Sequence, residues 1–340
     1  MRCPCCFSTS KVIRKGLFAR CGGRTRRQRY RCKNCGRNFS EMTGTIFARQ
    51  LRPDLESKVF YLLISGVSMR RIARLHQTTQ TTVARKLVRL GAFAKVQHQW
   101  RLKNIAPVSV ALFDEMETFE HTKCKPVSIV VAVEEHSRII LNATAVSMPP
   151  KGRLVHIARK RYPPRKDGRR KALFQALSTI SSVGAASLKV KSDQCPRYPA
   201  AVRRWLPRAK HETFKGRRGC VVGQGELKAG GFDPLFSLNH TCAMVRDNVK
   251  RLSRRTWCTT KRIDRLQCFL NLYICYHNEW IGMRKCNRRL RTRGQKTGGF
   301  QRLLEWNDGR CGDRDAHKIL PLGPRKTRKD HGGAIQVQRG

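Results

Sequence analysis

Two pairs of cysteines near the N-terminus constrain the fold of this chain more than any other feature. Cys3 and Cys6 form one C-x2-C knuckle, and Cys32 and Cys35 form the second. Four thiolates with this spacing are the ligand set of structural Zn²⁺ sites. A stretch of roughly fifty residues with so few aliphatic side chains needs a metal to fold. The pattern predicts a zinc ribbon over residues 1–50; the alternative is a disordered arm with unrelated cysteines.

The remaining cysteines favour a reducing compartment. The chain has 15 cysteines, an odd number, and many lie singly within segments that have the pattern of helices or strands. Scattered thiols of this kind are typical of intracellular proteins. The sequence has no run of about 18 apolar residues and no apolar N-terminal signal segment. We therefore expect a cytoplasmic protein with no membrane partner.

The charge of the chain predicts a polyanionic partner. Its 340 residues include 72 Lys and Arg and 22 Asp and Glu, which gives a formal net charge of +50. Such a field attracts polyanions, and nucleic acid gains further because neutralised phosphates release their counterions. An anionic membrane surface is the competing partner. Residues 281–340 lack helical or strand periodicity, so we expect a basic, flexible tail there.

Residues 54–98 predict three helices joined by tight turns. Their apolar residues recur at helical intervals, and Gly66 and Gly91 stand where the first and third helices would end. This arrangement is typical of a helix-turn-helix, whose last helix enters the major groove of DNA by its first residues. Gln80 and Thr81 are therefore candidates for base contacts. The candidates for phosphate contacts on the same helix are Arg85, Lys86 and Arg89. The alternative is a small helical bundle that only links two domains.

Residues 107–280 alternate strand-like and helix-like segments, which predicts an α/β domain. Asp114 follows the apolar run Val108–Phe113, and Asp193 follows the run Ser187–Lys191. If these two strands are neighbours, the two carboxylates converge and are able to hold Mg²⁺ beside a phosphodiester. The alternative is a pair of solvated aspartates in turns.

An amphipathic helix is predicted from about Leu235 to Arg254, because its apolar residues are spaced alternately three and four apart. A rotation of about 100° per residue places Asn239 beside the apolar stripe, in the first turn of the helix. The same rotation places His240 on the opposite, polar side.

The order of these motifs resembles that of bacterial insertion-sequence transposases of the DDE type, specifically the small kind that carries a zinc ribbon. The stretches that match are Cys3-Pro4 with Cys6, Gln28 to Cys32 with Cys35, Phe113 to Met116, Ser192 to Tyr198, and Arg251 to Thr256. The resemblance covers residues 1 to about 280. It implies an RNase-H-like core with a D-D-E metal triad.

The resemblance also implies an activity and its partners. The chain would bind the terminal inverted repeats of its element and target DNA as a homo-oligomer, in the bacterial cytoplasm and associated with the nucleoid. It would cut and transfer DNA strands with catalytic Mg²⁺ or Mn²⁺, and its zinc would be structural. Further DNA contacts are implied at Arg251, Arg254 and Arg255.

One position departs from that family. The family carries Glu in the helix before the Arg-Leu-x-Arg motif, and counting back from Arg251 places Asn239 there. His240 is the neighbouring alternative, but neither side chain restores the missing negative charge. Two interpretations stay open: a transposase whose third ligand is replaced, or a decayed or domesticated relative that acts as a DNA-binding repressor. A basic RNA-binding protein without a reaction is a third possibility.

Overall fold

The structure is a computed structural model that describes residues 1–19, 26–43, 46–48, 50, 52–215, 233–253 and 258–289, the last ten by their backbone alone. These residues fall into two compact units, one within Met1–Leu51 and one within Arg52–Ala316. The expected tail, 281–340, begins as helix up to Arg289 and otherwise lies outside the described residues.

The first unit contains a small antiparallel sheet. Its strands, in sheet order, are β1 (Val12–Ala19), β2 (Arg26–Cys32) and β3 (Asn38–Ser40). The buried residues around this sheet are Cys3, Cys32 and Phe39, and the ring of Tyr30 stacks on Phe39 at 5.6 Å. So small an apolar cluster does not hold a fold by itself, because small domains need a metal or a covalent link in place of core area.

The second unit confirms the predicted α/β class. Its strands are β4 (Val108–Glu120), β5 (Thr122–Glu134), β6 (Ile140–Ser147), β7 (Gly184–Asp193) and β8 (Lys210–Phe214). They form one mixed sheet in the order β6-β5-β4-β7-β8. The β4–β5 and β5–β6 pairs are antiparallel, whereas β4–β7 and β7–β8 are parallel. The two strands that were expected to carry the aspartates are therefore neighbours.

Three helices are present where the sequence predicts them. They are α1 (Leu55–Ile64), α2 (Met69–Leu75) and α3 (Gln80–Lys103). Hydroxyl groups of Ser68 and Thr79 accept hydrogen bonds from backbone amides and so cap α2 and α3. Gly91 does not end α3, as was expected, because it serves a close helix contact. A Cβ at Gly91 would lie 2.7 Å from Cβ of Cys268, so only glycine fits.

The other helices cover the sheet. They are α4 (Leu154–Arg161), α5 (Arg169–Val183), α6 (Arg197–Trp205), α7 (Phe236–Asn248) and α8 (Ile263–Arg289). Helices α5 and α6 bury their apolar sides against Phe113 and Val130 of the sheet. Helix α7 packs against β4 and β5, and α8 packs between α3 and β6. No helix in the described part of the chain is both long and apolar enough to cross a membrane.

Two predicted boundaries are wrong for identifiable reasons. Strand β4 does not end before Asp114 but continues to Glu120, because it forms a long hairpin with β5. Helix α7 ends at Asn248 rather than Arg254, since Val249 adopts an extended backbone and Asn248 donates its side-chain amide to the carbonyl of Met244.

Candidate functional site

The four N-terminal cysteines form a candidate metal centre. The Sγ atoms of Cys3 and Cys35 are 3.6 Å apart, those of Cys6 and Cys32 are 3.4 Å apart, and all four lie within 4.8 Å of one another. Sulfur atoms at the corners of a tetrahedron with metal–sulfur bonds of about 2.3 Å are separated by roughly 3.8 Å. The cluster therefore has the size and ligand set that a tetrahedral metal ion requires.

The surroundings of two of these thiols shift their pKa values in opposite directions. The backbone of Ser8, followed by the side chain of Asn34, lowers the pKa of Cys6 to about 6. A backbone hydrogen bond from Arg37 lowers the pKa of Cys35, but burial and the three neighbouring thiols outweigh it and raise that pKa to about 12. A metal needs Cys35 as a thiolate, so the cation must displace the proton that this thiol holds firmly.

Asp114 and Asp193 lie level with each other on adjacent strands. Ala111 pairs with Val190, and Leu112 pairs with Lys191, so the register offset between β4 and β7 is 79 residues. The same offset, 193 − 114, relates the two aspartates. Asp193 is the last residue of β7, so the two aspartates lie two residues beyond the last β4–β7 pair, Leu112 with Lys191. Strands in a sheet are about 4.8 Å apart, a separation that one cation bridges.

Each of the two carboxylates is held at one oxygen. Oδ1 of Asp114 accepts from the amide of Glu115 at 2.6 Å and from the hydroxyl of Tyr198 at 3.2 Å. Oδ1 of Asp193 accepts from the amide of Cys195 at 3.0 Å. Among the described residues, the Oδ2 atom of either carboxylate has no hydrogen-bond donor. The pair is therefore oriented by the protein and keeps one oxygen on each side chain for a ligand.

Burial raises the pKa of Asp114 to about 6, and the negative charge of Asp193 contributes to the rise. Two like charges in a half-buried place repel each other, and a divalent cation between them removes that repulsion. A proton on Asp114 below about pH 6 competes for the same position, so metal affinity is expected to fall as the pH falls through that value.

Helix α7 brings a third set of side chains toward this pair. Burial raises the pKa of Cys242 to about 12, and the charges of Asp114 and Arg246 both act on this thiol. Cys242 therefore lies near Asp114. Asn239, Cys242 and Arg246 are spaced i, i+3 and i+7, which places them on one face of the helix. Asn239 is exposed and donates its amide to Oδ2 of Asp233 at 2.8 Å.

His240 makes different contacts. Its Nδ1 lies 3.4 Å from a guanidinium nitrogen of Arg138, and its ring lies 5.6 Å from that of Phe236. Burial, and then the charge of Arg138, lowers the pKa of His240. The helical rotation placed this side chain in solvent, but the turn between β5 and β6 covers it. Asn239, and not His240, therefore lies on the same face of α7 as Cys242.

No third acidic ligand completes the pair among the described residues. The only group there of three or more His, Cys, Asp or Glu side chains with ligand atoms within 4.8 Å is the cysteine cluster. Within this part of the chain, the candidate site therefore consists of two carboxylates, with the neutral Asn239 at the position where the resemblance implies Glu.

The expected DNA-contacting residues of α3 divide into two groups. Gln80, Thr81 and Arg85 are exposed at the beginning of the helix. Arg89 is half-buried, and its charge acts on the pKa of Glu56. The first three side chains are accessible to a duplex, and Arg89 is less so.

Lys86 does not fit the role of a phosphate contact. It is 3% exposed, and its Nζ donates to Oε1 of Glu56 and to the carbonyl of Arg52, both at 2.8 Å. Burial raises the pKa of Glu56, and Lys86 opposes that rise. The ammonium group of Lys86 binds Glu56 and Arg52 in the interior of the unit. The prediction that Lys86 contacts a DNA phosphate is therefore wrong.

Lys86→Met keeps most of the side-chain volume but removes the charge that Glu56 is bonded to. Removal of one partner of a buried ion pair costs about 3–5 kcal/mol, so the free energy of unfolding should fall by about that amount. Urea denaturation measures it. The matched variant Arg85→Met removes an exposed charge one residue earlier and should change stability by less than about 0.5 kcal/mol. Equal stability of the two variants would contradict this account of Lys86.

The basic residues after α7 are only partly described. The guanidinium of Arg251 donates to the carbonyl of Thr259 at 3.1 Å and lies 5.8 Å from the centre of the Phe269 ring. This side chain holds the segment that follows α7 against α8. Arg254 and Arg255 lie outside the described residues.

Sequence reasoning gave no role to three residues that surround the pair. Tyr198 orients Asp114, and Arg197 binds Oε1 of Glu115 at 3.0 Å. Arg246 lies on the same face of α7 as Asn239. The sequence signals were the spacing of seven residues between Asn239 and Arg246, and the matching stretch Ser192 to Tyr198, which includes Arg197 and Tyr198. The roles of Tyr198 and Arg197 depend on α6 crossing beside β4, which no local pattern encodes.

Comparison with known protein families finds no match to this chain, and comparison with curated proteins finds none either.

Proposed function

We propose that the protein is a DNA transposase that binds the terminal inverted repeats of its element, cuts DNA strands there and joins them to target DNA. In the first step water breaks a phosphodiester bond and leaves a 3′-hydroxyl. In the second step that hydroxyl attacks a phosphodiester of the target strand. A new bond forms from the 3′-oxygen to phosphorus, and the bond from phosphorus to one oxygen of the target strand breaks. Both steps displace an oxygen at phosphorus and need no oxidant or reductant.

The observation that carries this proposal is the level placement of Asp114 and Asp193 on two parallel strands. A divalent cation bound there, Mg²⁺ or Mn²⁺, would polarise the phosphodiester and lower the pKa of the attacking hydroxyl. Tyr198 and the amide of Cys195 hold the two carboxylates in place. Arg246 supplies a positive charge on the same face of α7 as Asn239, where it would offset negative charge on the reacting phosphate.

The fold supports the same proposal. A sheet with three antiparallel strands followed by two strands parallel to the first is the arrangement of an RNase-H-like core, and its order here is β6-β5-β4-β7-β8. The exposed start of α3, with Gln80, Thr81 and Arg85, supports a helix-turn-helix that reads the repeats. The geometry of the cysteine cluster favours a structural zinc ribbon in the first unit. We further propose that the active form on DNA is a homo-oligomer.

Strand cleavage tests the proposal. The substrate is a duplex with the DNA that flanks the gene, and the full-length protein is incubated with Mg²⁺, with Mn²⁺, or with a chelator. We expect nicks at a defined phosphate in either metal and none in the chelator. Specific binding without any cleavage in either metal would favour the second candidate instead, a DNA-binding repressor. The neutral Asn239 is the observation that favours that candidate.

Asn239→Glu is expected to lower the Mg²⁺ concentration required for half-maximal cleavage. One more carboxylate at about 4 Å from a divalent cation contributes about 2 kcal/mol even in water-like surroundings, which is roughly 30-fold in affinity. His240→Ala is the matched change, and it should leave the Mg²⁺ requirement unchanged because that side chain contacts Arg138. A Mg²⁺ titration of cleavage by both variants decides between the two positions. A loss of cleavage in His240→Ala as large as in the Asp variants would reverse the assignment.

A further inference from the structure

Residues 151–171 form a strongly basic segment beside the candidate active site. The segment, hereafter the basic segment, contains ten Lys or Arg residues and one acidic residue, Asp167. It connects β6 to α5 and includes α4. Neither the zinc ribbon nor the expected helix-turn-helix includes it, and the proposed chemistry does not use it.

Part of this charge anchors the segment to the sheet. Lys151 pairs with Glu117, and Arg165 pairs with Glu120 at 3.0 Å, both on β4. The backbone at Lys166 accepts from the hydroxyl of Ser147, and the amide of Gly168 donates to the carbonyl of Ser147 at 2.9 Å. A Cβ at Gly168 would lie 2.8 Å from Cβ of Val146, so the chain is tightly seated against β6 there.

The rest of the charge faces solvent. Besides Lys151, seven cations of the segment are exposed, and within the described part of the chain none of these seven has an acidic partner within 4.0 Å. They are Arg153, Arg159, Lys160, Arg161, Lys166, Arg170 and Lys171. The segment contains no Ser, Thr, Asn or Gln, the neutral polar side chains that bond base edges. Its solvent-facing chemistry is therefore almost wholly that of Lys and Arg, the side chains that bind phosphates.

The anchors place the segment at the catalytic edge of the sheet. Glu117 and Glu120 lie three and six residues beyond Asp114 on β4, which is roughly 10 and 20 Å along the strand. This is the end of the sheet at which β7 stops at Asp193. In addition, the hydrogen bond to Asp167 raises the pKa of Arg169 at the start of α5, and the charges of Arg197 and Glu115 also act on this guanidinium.

We propose that the basic segment binds the sugar–phosphate backbone of the target duplex and holds it, without reading its sequence, beside Asp114 and Asp193. This inference rests on the proposed transposase function, in which a second duplex must reach the same carboxylates as the element end. Seven exposed cations without an acidic partner among the described residues provide affinity for any duplex, because each neutralised phosphate releases counterions. The exposed start of α3 remains for the repeats.

The experiment compares two full-length triple variants with equal loss of charge. One is Arg159→Gln with Lys160→Gln and Arg161→Gln in the segment. The control is Arg203→Gln with Arg204→Gln and Arg208→Gln, three exposed cations at and after the end of α6. The probe is a 30-base-pair duplex of random sequence, and its affinity is measured against salt concentration. A second variant, Lys166→Gln with Arg170→Gln and Lys171→Gln, serves if the first one unfolds, as judged by thermal denaturation.

The segment variant should lose about 0.9 in the slope of log affinity against log salt for each phosphate contact removed, so about 2–3 in total. The control should keep the wild-type slope. In the full reaction, the segment variant should still cut element ends but should transfer strands to plasmid DNA roughly tenfold more slowly.

Three outcomes overturn the inference. In the first, the salt slope of the segment variant equals that of the wild type. In the second, the segment variant and the control lose the same amount of slope. In the third, the segment variant loses binding to phosphatidylserine vesicles but keeps its affinity for the duplex. A wild-type protein that binds the random duplex through this segment but cuts no DNA would overturn the proposed function and leave the duplex-binding surface standing.

Discussion

Asp114→Asn and Asp193→Asn should each abolish strand cleavage and strand transfer while the affinity for terminal repeats stays at the wild-type value. Each change removes one charge from a pair that is oriented by Tyr198 and by the amide of Cys195. Metal catalysis contributes several kcal/mol of transition-state stabilisation, and about 4 kcal/mol corresponds to a rate loss of about 10³-fold. A single-turnover cleavage assay measures the rate, and an equilibrium binding assay measures the affinity.

Glu212→Gln is the control for these two variants. Glu212 lies on β8, the strand next to β7, and pairs with exposed Lys210. The substitution removes one carboxylate from the same sheet but from outside the pair, so cleavage should stay close to that of the wild type. Cleavage that survives both Asp substitutions would remove the RNase-H-like mechanism and favour the repressor.

Cys32→Ser should release the metal and unfold the first unit. The apolar cluster at the sheet of that unit contains only three fully buried residues, Cys3, Cys32 and Phe39, and two of them are metal-ligand candidates, so we expect the cation to supply most of the folding free energy there. Structural Zn²⁺ contributes about 10–16 kcal/mol in small metal-folded modules, and removal of one of four thiolates takes away a large part of it. Elemental analysis of the purified protein measures the zinc, and limited proteolysis within residues 1–50 detects the unfolding.

Cys5→Ser is the matched change, because Cys5 stands beside the cluster and is exposed. This variant should keep one zinc per chain and its resistance to protease. Purified wild-type protein without zinc, or a Cys32→Ser variant that retains it, would contradict the zinc ribbon.

The short-range parts of this fold were predictable from sequence. Cysteine spacing predicted the metal cluster, apolar periodicity predicted α1 and α2, and apolar runs predicted the central parts of β4 and β7. The apolar runs also predicted that Asp114 and Asp193 belong to apolar strands, although Asp114 lies inside β4 and not after it. Each of these features depends on residues close together in sequence, so the pattern and its structural cause occupy the same segment.

Features set by distant contacts were not predictable. Gly91 looked like a helix end, but its role is to admit Cys268 of α8 at close range. Lys86 looked like a surface cation because it follows Arg85, yet Glu56, thirty residues earlier, holds it in the interior. The hairpin that extends β4 past Asp114 likewise depends on pairing with β5. In each case a partner elsewhere in the chain decides the outcome, and local propensity cannot identify that partner.

These differences change how the DNA-binding half should be tested. A fragment of residues 1–100 would cut α3 before its end at Lys103 and would remove α8, against which α3 packs. Asn271 of α8 also donates to the carbonyl of Gly91 at 3.2 Å. Binding to the repeats should therefore be measured with the full chain and with exposed substitutions such as Arg85→Met.

The central claim is that a divalent cation held by Asp114 and Asp193 contacts the phosphate that is cut. Its most direct test replaces one non-bridging oxygen of that phosphate by sulfur, as separate diastereomers, once cleavage has been mapped. Mn²⁺ accepts sulfur ligands more readily than Mg²⁺ does. We predict that the wild-type protein loses cleavage of one diastereomer in Mg²⁺ and recovers it in Mn²⁺. Cleavage of both diastereomers in Mg²⁺ at the rate of the unmodified duplex would contradict the claim.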